Sequence, residues 1–504
     1  MSFLQTILKN RWYLFLTVFV SNLCLHFIYI DNHSIWFDEC LWVDVAEWDT
    51  EKIIELCRSN DPNPPLYPLI LHYWIHLFGD SEIAIRSITA ISSSLAGAFL
   101  FLLAYRFFNW QTSIFVSMMF FTSNEMFYYA QEARPYAIII LFAVMSYYVY
   151  LSLIASPNLW KAFILGAFNC ILFYLHLLSA FCFVGQAVLF PFLIKQSLSF
   201  KTEGGLFSFS YSANVKVVLY YFLSWGAFYL LFLPWQTRFI ELIKEGSKNY
   251  WLSKPTSADF KQTIYDFFNS KELYQVHVFS ALAIVLLLIL FKRFREENVS
   301  LKNIFFAFII GPGLIYLNYK MASISPIFLK RYVLFTILGF MLLYSYIFSL
   351  LKFPFRYKFA AFLALSVFSF LKLTIPRETV FDYKHSVAFL KKKQTANTLI
   401  INDIPDLFSY YYDKEGAWKI KEFEERTKYL YEKKNVLVPL DIVWQKTFDF
   451  KKYKDVYYTM SFEGYKDPGL EVENYLRSVL IFKENISDYK GIKIVHFENP
   501  NFQQ

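Results

Sequence analysis

The chain lacks most of the motifs that mark soluble enzymes, and each missing motif argues against a class of function. Its five cysteines form neither a CxxC pair nor a Cys/His spacing that binds zinc, so the sequence predicts no metal centre. A GxGxxG turn and a P-loop are both missing, so no bound nucleotide is predicted. We find no internal repeat, although repeats are common in transporters. The net charge of +8 does not indicate nucleic acid, because the positive charges lie mostly in short links between apolar runs.

Apolar and aromatic side chains are abundant instead. Hydrophobic residues make up 56% of the 504 positions and aromatic residues 21%, more than one soluble core needs. Apolar runs of about 20 residues recur over the first three quarters of the chain, which predicts a polytopic α-helical membrane protein with about eleven spans. The predicted spans are 12–30, 83–105, 111–128, 137–156, 161–178, 179–195, 216–235, 274–291, 303–319, 332–351 and 358–375. No small-residue cleavage site follows the first run, so we expect it to remain as a span.

Lysine and arginine fix the predicted orientation. The basic residues that flank these spans, such as Arg11, Arg106 and Lys161, fall on one side of the membrane, which is the cytoplasmic side by the positive-inside rule. The amino terminus is then cytoplasmic. The predicted extracytoplasmic segments are the loop 31–82, the turn 129–136, the loop 236–273, the turn 320–331 and everything after 376.

The composition changes at residue 376, where Lys, Glu and Asp become frequent. Short apolar stretches alternate there with helical patterns, which predicts a small extracytoplasmic α/β domain over 376–504. The transmembrane domain is predicted over 1–375, with 31–82 as its first outer loop. The predicted strands are 398–401, 436–438, 456–458 and 492–495, and a helix is predicted over 383–390.

Acidic and basic side chains collect on the predicted outer side, on segments far apart in the sequence. Any one of them is explained by the water boundary or by snorkelling. Charge inside the hydrocarbon costs ~2.5–3.5 kcal/mol, so such groups usually line a cavity. Their convergence predicts an outer-face cavity with cations for a phosphate and a carboxylate for a base. The residues concerned are Asp38 and Glu39, His72 and Arg86, Glu132 and Arg134, His176, and Lys330, Arg331 and Tyr332.

Four of these segments carry a resemblance to a known family. The acidic pair in "WFDEC", the segment "PPLYPLI…LFGDSEIAIRS", the turn "YYAQEARPYA" and a late "P…RY" together resemble the C-type (GT-C) membrane glycosyltransferases. The most similar branch holds the protein O-mannosyltransferases and the lipid A aminoarabinose transferases. The resemblance covers about residues 10–375 and implies the GT-C fold in a bacterial inner (plasma) membrane. The tail resembles the soluble domain that ends many such proteins only in its placement and α/β pattern.

The resemblance implies a glycosyltransferase that moves a sugar, with inversion, from a polyprenyl-phosphate donor to an acceptor hydroxyl on the extracytoplasmic face. The acceptor is a glycan, a lipid or a protein. By motif match, Asp38 is the base, and Glu39 positions the base or the acceptor. Arg331, with Lys330 and Arg134, neutralises the phosphate as it leaves. The further site candidates are Glu132, Arg86, His72, His176 and Tyr332.

The sequence departs from the family at Asn63, and its acidic pair raises the question of a bound cation. The proline pair often follows a His in the family, whereas here it follows Asn63, which can hydrogen-bond but carries no charge. The acidic pair has the chemistry to hold a divalent cation. The branch resembled generally needs none, and we expect no cofactor and no metal.

Two other classes of function remain open at this point. A flippase or transporter for a lipid-linked sugar would use a similar cationic pocket, but it would show polar residues at mid-span, and the sequence has almost none. A non-catalytic scaffold would not need the combination of Asp38, Arg134 and Arg331. Separately, Cys40 and Cys57 fall in one predicted outer loop, so they form either a disulfide or two partly buried thiols.

Overall fold

The computed structural model describes residues 10–59, 63–203, 206–245, 253–294, 296, 299–438, 448–461, 470–486 and 488–503. Parts of the predicted loops 31–82 and 236–273 lie outside this range. The chain divides into two compact units. The membrane unit comprises 1–28, 49–79 and 84–374, and the C-terminal unit comprises 29–48, 80–83 and 375–504. One boundary of this division falls at the predicted domain boundary, while the first outer loop contributes to both units; the predicted domains stay a prediction.

The membrane unit is helical, with one β-hairpin formed by β1 (Lys195–Glu203) and β2 (Leu206–Ala213). The helix Glu82–Phe107 begins in the C-terminal unit and continues through this one. The other α-helices in the described part of this unit are Arg11–Phe27, Thr50–Ser59, Leu66–Phe78, Trp110–Phe121, Asn124–Ala130, Tyr136–Ala155, Leu159–Leu175, Phe181–Ile194, Val215–Phe232, Gln236–Glu245, Ser257–Phe267, Lys271–Leu290, Leu301–Phe308, Leu314–Ala322, Ile337–Ser349 and Phe355–Phe370.

A helix lies at each predicted span. By length and composition, six of the described helical segments are able to cross a membrane. They are Glu82–Phe107, Tyr136–Ala155, Leu177–Ile194, Val215–Lys244, Lys271–Leu290 and Leu301–Ala322. Leu159–Leu175 and Leu334–Ser349 are shorter apolar helices. The polytopic, mostly helical fold is therefore present, and the count of eleven spans stays a prediction.

Two predicted spans are interrupted for identifiable reasons. The predicted span 111–128 is two helices, because the Ser123 hydroxyl accepts a hydrogen bond from the Met126 N–H and so starts a new helix. The predicted span 303–319 contains a π-helical turn, Ile309–Gly313, around Pro312, which lacks the N–H that an α-helix needs. Gly339 of the next helix packs directly on the backbone of this turn, where a Cβ would meet the Gly311 N atom.

The C-terminal unit contains a five-stranded mixed sheet in the order β4-β3-β5-β7-β6. Strand β3 pairs in parallel with β4 and β5, while β7 pairs antiparallel with β5 and β6. The strands are β3 (Thr398–Asn402), β4 (Val436–Leu437), β5 (Asp455–Met460), β6 (Ile481–Ile486) and β7 (Lys493–Glu498). The α-helices among the described residues of this unit are Phe37–Ala46, Tyr383–Lys393, Pro405–Tyr412, Phe423–Lys434 and Glu471–Val479.

The four predicted strands and the predicted helix at Tyr383 are present, and the sequence missed β6. This strand lies at the edge of the sheet, and most of its side chains are exposed, including Lys483 and Glu484. Exposed charges replace the apolar alternation that identifies a half-buried strand. The core of the unit lies under the inner strands, where Leu399, Val456 and Val495 are fully buried.

Candidate active site

Arginines from two distant segments of the membrane unit lie beside one cluster of aromatic rings. A small cavity is lined by Tyr136, His176, Arg331 and Tyr332, among others. The guanidinium carbon of Arg134 lies 5.8 Å from the centroid of the Tyr136 ring. The rings of His176 and Tyr332 lie 4.6 Å apart. Three of the predicted site residues, His176, Arg331 and Tyr332, therefore line one cavity, and Arg134 contacts the Tyr136 ring in its wall.

His176 is held in one tautomer by its position in the chain. It follows the helix Leu159–Leu175, and its Nδ1 accepts a hydrogen bond of 3.2 Å from the Leu178 N–H. Because Nδ1 accepts this bond, the imidazole carries its proton on Nε2. The side chain is buried. His176 therefore presents an N–H donor beside the aromatic cavity and adds no positive charge there.

Lys330 forms ion pairs within the protein, whereas its neighbour Arg331 lines the aromatic cavity. Its Nζ lies 2.9 Å from a carboxylate oxygen of Glu125 and 2.9 Å from one of Asp266. Burial lowers the pKa of Lys330, but the two carboxylates outweigh it and raise the pKa well above its usual value. The ammonium is therefore charged throughout the neutral range, and two carboxylates of the protein already balance it.

Sequence reasoning missed Glu125 and Asp266. Glu125 was included in a predicted span, and Asp266 lies in the long predicted loop 236–273. Glu125 is buried at the start of the short helix Asn124–Ala130. An acidic residue inside an apolar run is costly without a partner. That signal could have identified Glu125 as a candidate, but it does not identify the partner.

The turn that carries Glu132 and Arg134 is anchored to two helices. Gln131 Nε2 donates to the carbonyl oxygens of His26 and Ile28 at 3.0 and 2.7 Å, at the end of the first helix. The Thr89 hydroxyl lies 2.8 Å from the Arg86 carbonyl and 3.0 Å from the Ala130 carbonyl. Carbonyl groups at the end of a helix lack partners within it, so the hydrogen bonds from Gln131 satisfy two such acceptors and hold the turn in place. Glu132 and the side chain of Arg86 are buried.

His72 lies on the predicted helix that follows the proline pair, now bounded as Leu66–Phe78. Its ring lies 4.2 Å from the ring of His76, and its carbonyl oxygen lies 2.8 Å from His76 Nδ1. The departure at Asn63 has a structural counterpart, because Asn63 Oδ1 accepts a hydrogen bond from Leu177 N–H at 3.4 Å. Asn63 thus contacts the backbone next to His176.

Asp38 and Glu39 lie in the C-terminal unit, in the first turn of the helix Phe37–Ala46. Asp38 is half-buried, whereas Glu39 is fully buried. A Glu39 carboxylate oxygen accepts a hydrogen bond of 3.2 Å from the Trp36 N–H, which satisfies a backbone donor at the start of the helix. Glu39 therefore stabilises the turn on which Asp38 is carried. Cys40 and Cys57 are both described, and each is a buried thiol rather than half of a disulfide.

The membrane unit also contains an apolar groove of about 540 Å³. Its wall includes the helix Ser257–Phe267, whose residue Asp266 binds Lys330. Phe260 of this wall packs against Phe328, with ring centroids 6.1 Å apart. Phe328 lies two residues before Lys330 in the sequence. The lining is formed mainly by aromatic and aliphatic side chains, including Phe260, Ile264, Phe268, Tyr274, His277, Tyr316, Phe340 and Tyr344.

The family model described as dolichyl-phosphate-mannose-protein mannosyltransferase matches residues 62–225. The chain also shares its fold with ArnT from Cupriavidus metallidurans. The apo structure of ArnT aligns with a TM-score of 0.51 and 14% identity, over 96% of this chain and 97% of ArnT. The structure of ArnT bound to undecaprenyl phosphate aligns with a TM-score of 0.51 and 12% identity, over 97% and 99%.

The predicted resemblance to the C-type membrane glycosyltransferases is confirmed. The family model spans "PPLYPLI" and "YYAQEARPYA", two of the four segments on which the resemblance was based. The structural alignment extends over both units, including the C-terminal one. Among curated protein sequences, none matches the chain.

Proposed function

We propose that the protein is a glycosyltransferase that uses a polyprenyl-phosphate-linked sugar as its donor. The acceptor hydroxyl oxygen attacks the anomeric carbon of the sugar, a carboxylate takes the hydroxyl proton, and the bond from that carbon to the phosphate oxygen breaks. Polyprenyl phosphate leaves, and attack from the opposite face inverts the anomeric carbon. The reaction takes place at the extracytoplasmic face of the inner membrane.

The observation that carries this proposal is the position of two arginines at one aromatic cavity, with Arg331 in its wall and Arg134 against its Tyr136 ring. Two fixed guanidinium groups suit a phosphate, because each offers several N–H donors in a planar fork. Negative charge grows on the phosphate oxygens as the glycosidic bond breaks, and preorganised cations stabilise that charge. His176 adds a neutral N–H donor, and Tyr332 lies against it.

Lys330 has a different part in this proposal from the one that the sequence motif implies. Its charge is balanced by Glu125 and Asp266, so we assign phosphate binding to Arg331 and Arg134. Lys330 instead fixes the segment that carries Arg331. Glu132, Arg86 and His72 keep their proposed places in the site, where the anchored turn supports Glu132.

A lipid donor also explains the apolar groove in the membrane unit. An isoprenoid chain needs an aromatic and aliphatic surface and no hydrogen bonds. The helix Ser257–Phe267 supplies one wall of the groove and binds Lys330 through Asp266. We assign the groove to the lipid chain of the donor.

Asp38 is the proposed base. It lies in the first turn of the helix Phe37–Ala46 and is half-buried. Glu39 keeps this turn intact by capping it. The proposal includes no metal and no cofactor. The acceptor is a glycan, a lipid or a protein.

The donor assignment is tested by the binding of undecaprenyl phosphate to the purified protein, measured by native mass spectrometry. Undecaprenol, which has the same chain without the phosphate, is the comparison ligand. We expect wild type to prefer the phosphate form and Arg331→Gln to lose that preference. Lys320→Gln is the matched control, because Lys320 is a cation in the same predicted outer turn that contacts Tyr316 and Tyr319. Equal binding of both lipids to wild type rules out the phosphate site.

A further inference from the structure

The chain that leads into the helix Phe37–Ala46 is hydrogen-bonded to the C-terminal part of the sequence. The Ile35 N–H donates to the Tyr411 hydroxyl at 2.7 Å, and that hydroxyl donates to Glu82 at 2.6 Å. The Ser34 hydroxyl accepts a hydrogen bond of 3.0 Å from the Lys384 N–H. Ile35 is fully buried. The start of the helix that carries Asp38 is therefore fixed by backbone and side-chain contacts.

The other end of the same helix is held by a buried arginine. Arg426 is 1% exposed, and its guanidinium group binds Asp44 at 3.1 Å and also binds Asp406. Its Nε donates to the Ile420 carbonyl at 2.8 Å. Asp44 belongs to the helix Phe37–Ala46, while Asp406 begins another helix. One guanidinium group thus joins the Asp38-bearing helix to the body of the C-terminal unit.

Two further side chains reinforce this end. Lys421 Nζ lies 3.0 Å from Asp44 and 2.8 Å from Glu47. The Trp418 indole N–H donates to Glu47 at 3.0 Å, and Trp418 is fully buried. These contacts are directional, so they fix the rotation of the helix as well as its position.

The helix needs such support because it is short. It has 10 residues, and isolated helices below about 12–15 residues are marginal in water. A carboxylate that must meet one hydroxyl proton requires a fixed orientation, because a 1 Å misplacement costs about a hundredfold in rate. A hydrophobic contact alone would hold the helix without fixing its rotation.

We propose that Arg426 and Tyr411 are positioning residues for Asp38, and that orienting the helix Phe37–Ala46 is a task of the C-terminal unit. This inference rests on the proposed function, because it concerns how Asp38, the proposed base of that reaction, is oriented. Each acts through the helix that it holds.

Cys40 provides a reporter for this docking that does not depend on activity. It follows Glu39 on the same helix and is 1% exposed. Burial raises the pKa of the Cys40 thiol, and the nearby carboxylates of Asp406 and Asp44 raise it further. A docked helix therefore keeps Cys40 unreactive towards a maleimide, and a loosened helix exposes it.

The test compares Arg426→Gln, Arg426→Lys and Tyr411→Phe with wild type in the full-length protein. Lys434→Gln is the matched control, since Lys434 ends the same helix as Arg426 but pairs with Asp413. Three quantities are measured: the rate of maleimide labelling at Cys40, located by peptide mass spectrometry; the binding of undecaprenyl phosphate; and the level of the sugar modification that wild type restores to a deletion strain.

We expect Arg426→Gln to speed Cys40 labelling and to lower sugar transfer by about tenfold to a hundredfold, with undecaprenyl phosphate binding unchanged. Tyr411→Phe should show the same pattern more weakly. It provides the test of the proposal if Arg426→Gln does not fold. Arg426→Lys should recover part of the transfer. The control should match wild type.

Unchanged Cys40 labelling in both Arg426→Gln and Tyr411→Phe would overturn the docking itself. Faster labelling with normal transfer would overturn the positioning role while leaving the docking in place. Lost undecaprenyl phosphate binding in the variants would show a general structural role and would also overturn positioning. Absence of any transfer in wild type would remove the proposed function, and the positioning claim with it.

Discussion

At the scale of single residues, two neighbouring side chains in the same motif have different environments. Lys330 is bound by two carboxylates of the protein, whereas Arg331 lines the aromatic cavity. Asp38 and Glu39 differ similarly, because Glu39 is buried as a helix cap and Asp38 is half-buried. A motif groups such residues by their order, but the partners of each side chain decide its chemistry.

The first residue-scale prediction separates Lys330 from Arg331. Lys330→Gln leaves Glu125 and Asp266 facing each other without a cation, so we expect a loss of ~1–3 kcal/mol in the free energy of unfolding. Undecaprenyl phosphate binding should change little. Arg331→Gln should instead lose undecaprenyl phosphate binding, with little change in the free energy of unfolding. Thermal unfolding in detergent and native mass spectrometry measure the two effects, and equal loss of lipid binding in both variants would return Lys330 to the phosphate site.

The pH dependence of the Lys330 contribution follows from its raised pKa. A raised pKa means that the folded protein holds this proton more tightly than the unfolded chain does. The stabilisation is fully present below the usual lysine pKa of 10.5 and is lost as the pH rises through the higher folded value. The stability difference between wild type and Lys330→Gln should therefore shrink as the pH rises above about 10. A difference that stays constant as the pH rises above that value would contradict the ion-pair assignment.

The second residue-scale prediction concerns Glu39. The Trp36 N–H needs an acceptor, and the amide oxygen of Gln supplies one as well as a carboxylate does. We expect Glu39→Gln to retain most of the stability of the helix and Glu39→Ala to lose ~1 kcal/mol, as lost caps do. The rate of backbone hydrogen exchange in residues 37–46 measures the stability of this helix. If Glu39→Gln abolishes transfer while leaving exchange unchanged, the carboxylate itself takes part in the reaction.

At the scale of elements, helix packing in the membrane unit depends on a close approach of two backbones. Gly339 lies against the π-helical turn Ile309–Gly313, and the space for a Cβ is occupied by Gly311. Small residues allow such approaches between membrane helices. The turn itself follows from Pro312, so one proline and two glycines together determine how these helices meet.

This packing gives an element-scale prediction. Gly339→Ala should lower the thermal midpoint, because the added methyl forces the two backbones apart at a cost of ~1–3 kcal/mol. Gly226→Ala is the matched control, since a Cβ at Gly226 meets no atom within 4 Å. We expect the control to equal or exceed wild type, because Ala favours a helix over Gly. Equal midpoints for both variants would show that the Gly311–Gly339 contact is not tightly packed.

At the scale of the whole molecule, sequence reasoning recovered the mostly helical polytopic fold, the helix positions and the family resemblance. Long apolar runs are clear signals of membrane-spanning helices, and a described helix lies at each predicted span. It did not recover the partners of the charged residues. Glu125 and Asp266 bind Lys330 from positions that are remote in sequence, and Arg426 binds Asp44 from 382 residues away. No periodicity encodes such pairings, because they arise only when the chain folds.

The division of the chain shows the same limit. The composition shift at residue 376 predicts a C-terminal domain, and residues 375–504 form most of the C-terminal unit. The inclusion of 29–48 in that unit has no compositional signal. It follows from contacts such as Ile35 with Tyr411 and Trp418 with Glu47. The sequence therefore located the Asp38 motif but not the elements that support it.

The most direct test of the central claim compares cell-envelope glycans, glycolipids and glycoproteins by mass spectrometry. The strains are wild type, a deletion, and the deletion carrying wild type, Asp38→Asn or Arg331→Gln at matched abundance. We predict that the deletion loses one defined sugar, that wild type restores it, and that neither variant does. Full restoration by Asp38→Asn would contradict the assignment of Asp38 as the base. An unchanged envelope in the deletion strain would contradict the glycosyltransferase assignment itself.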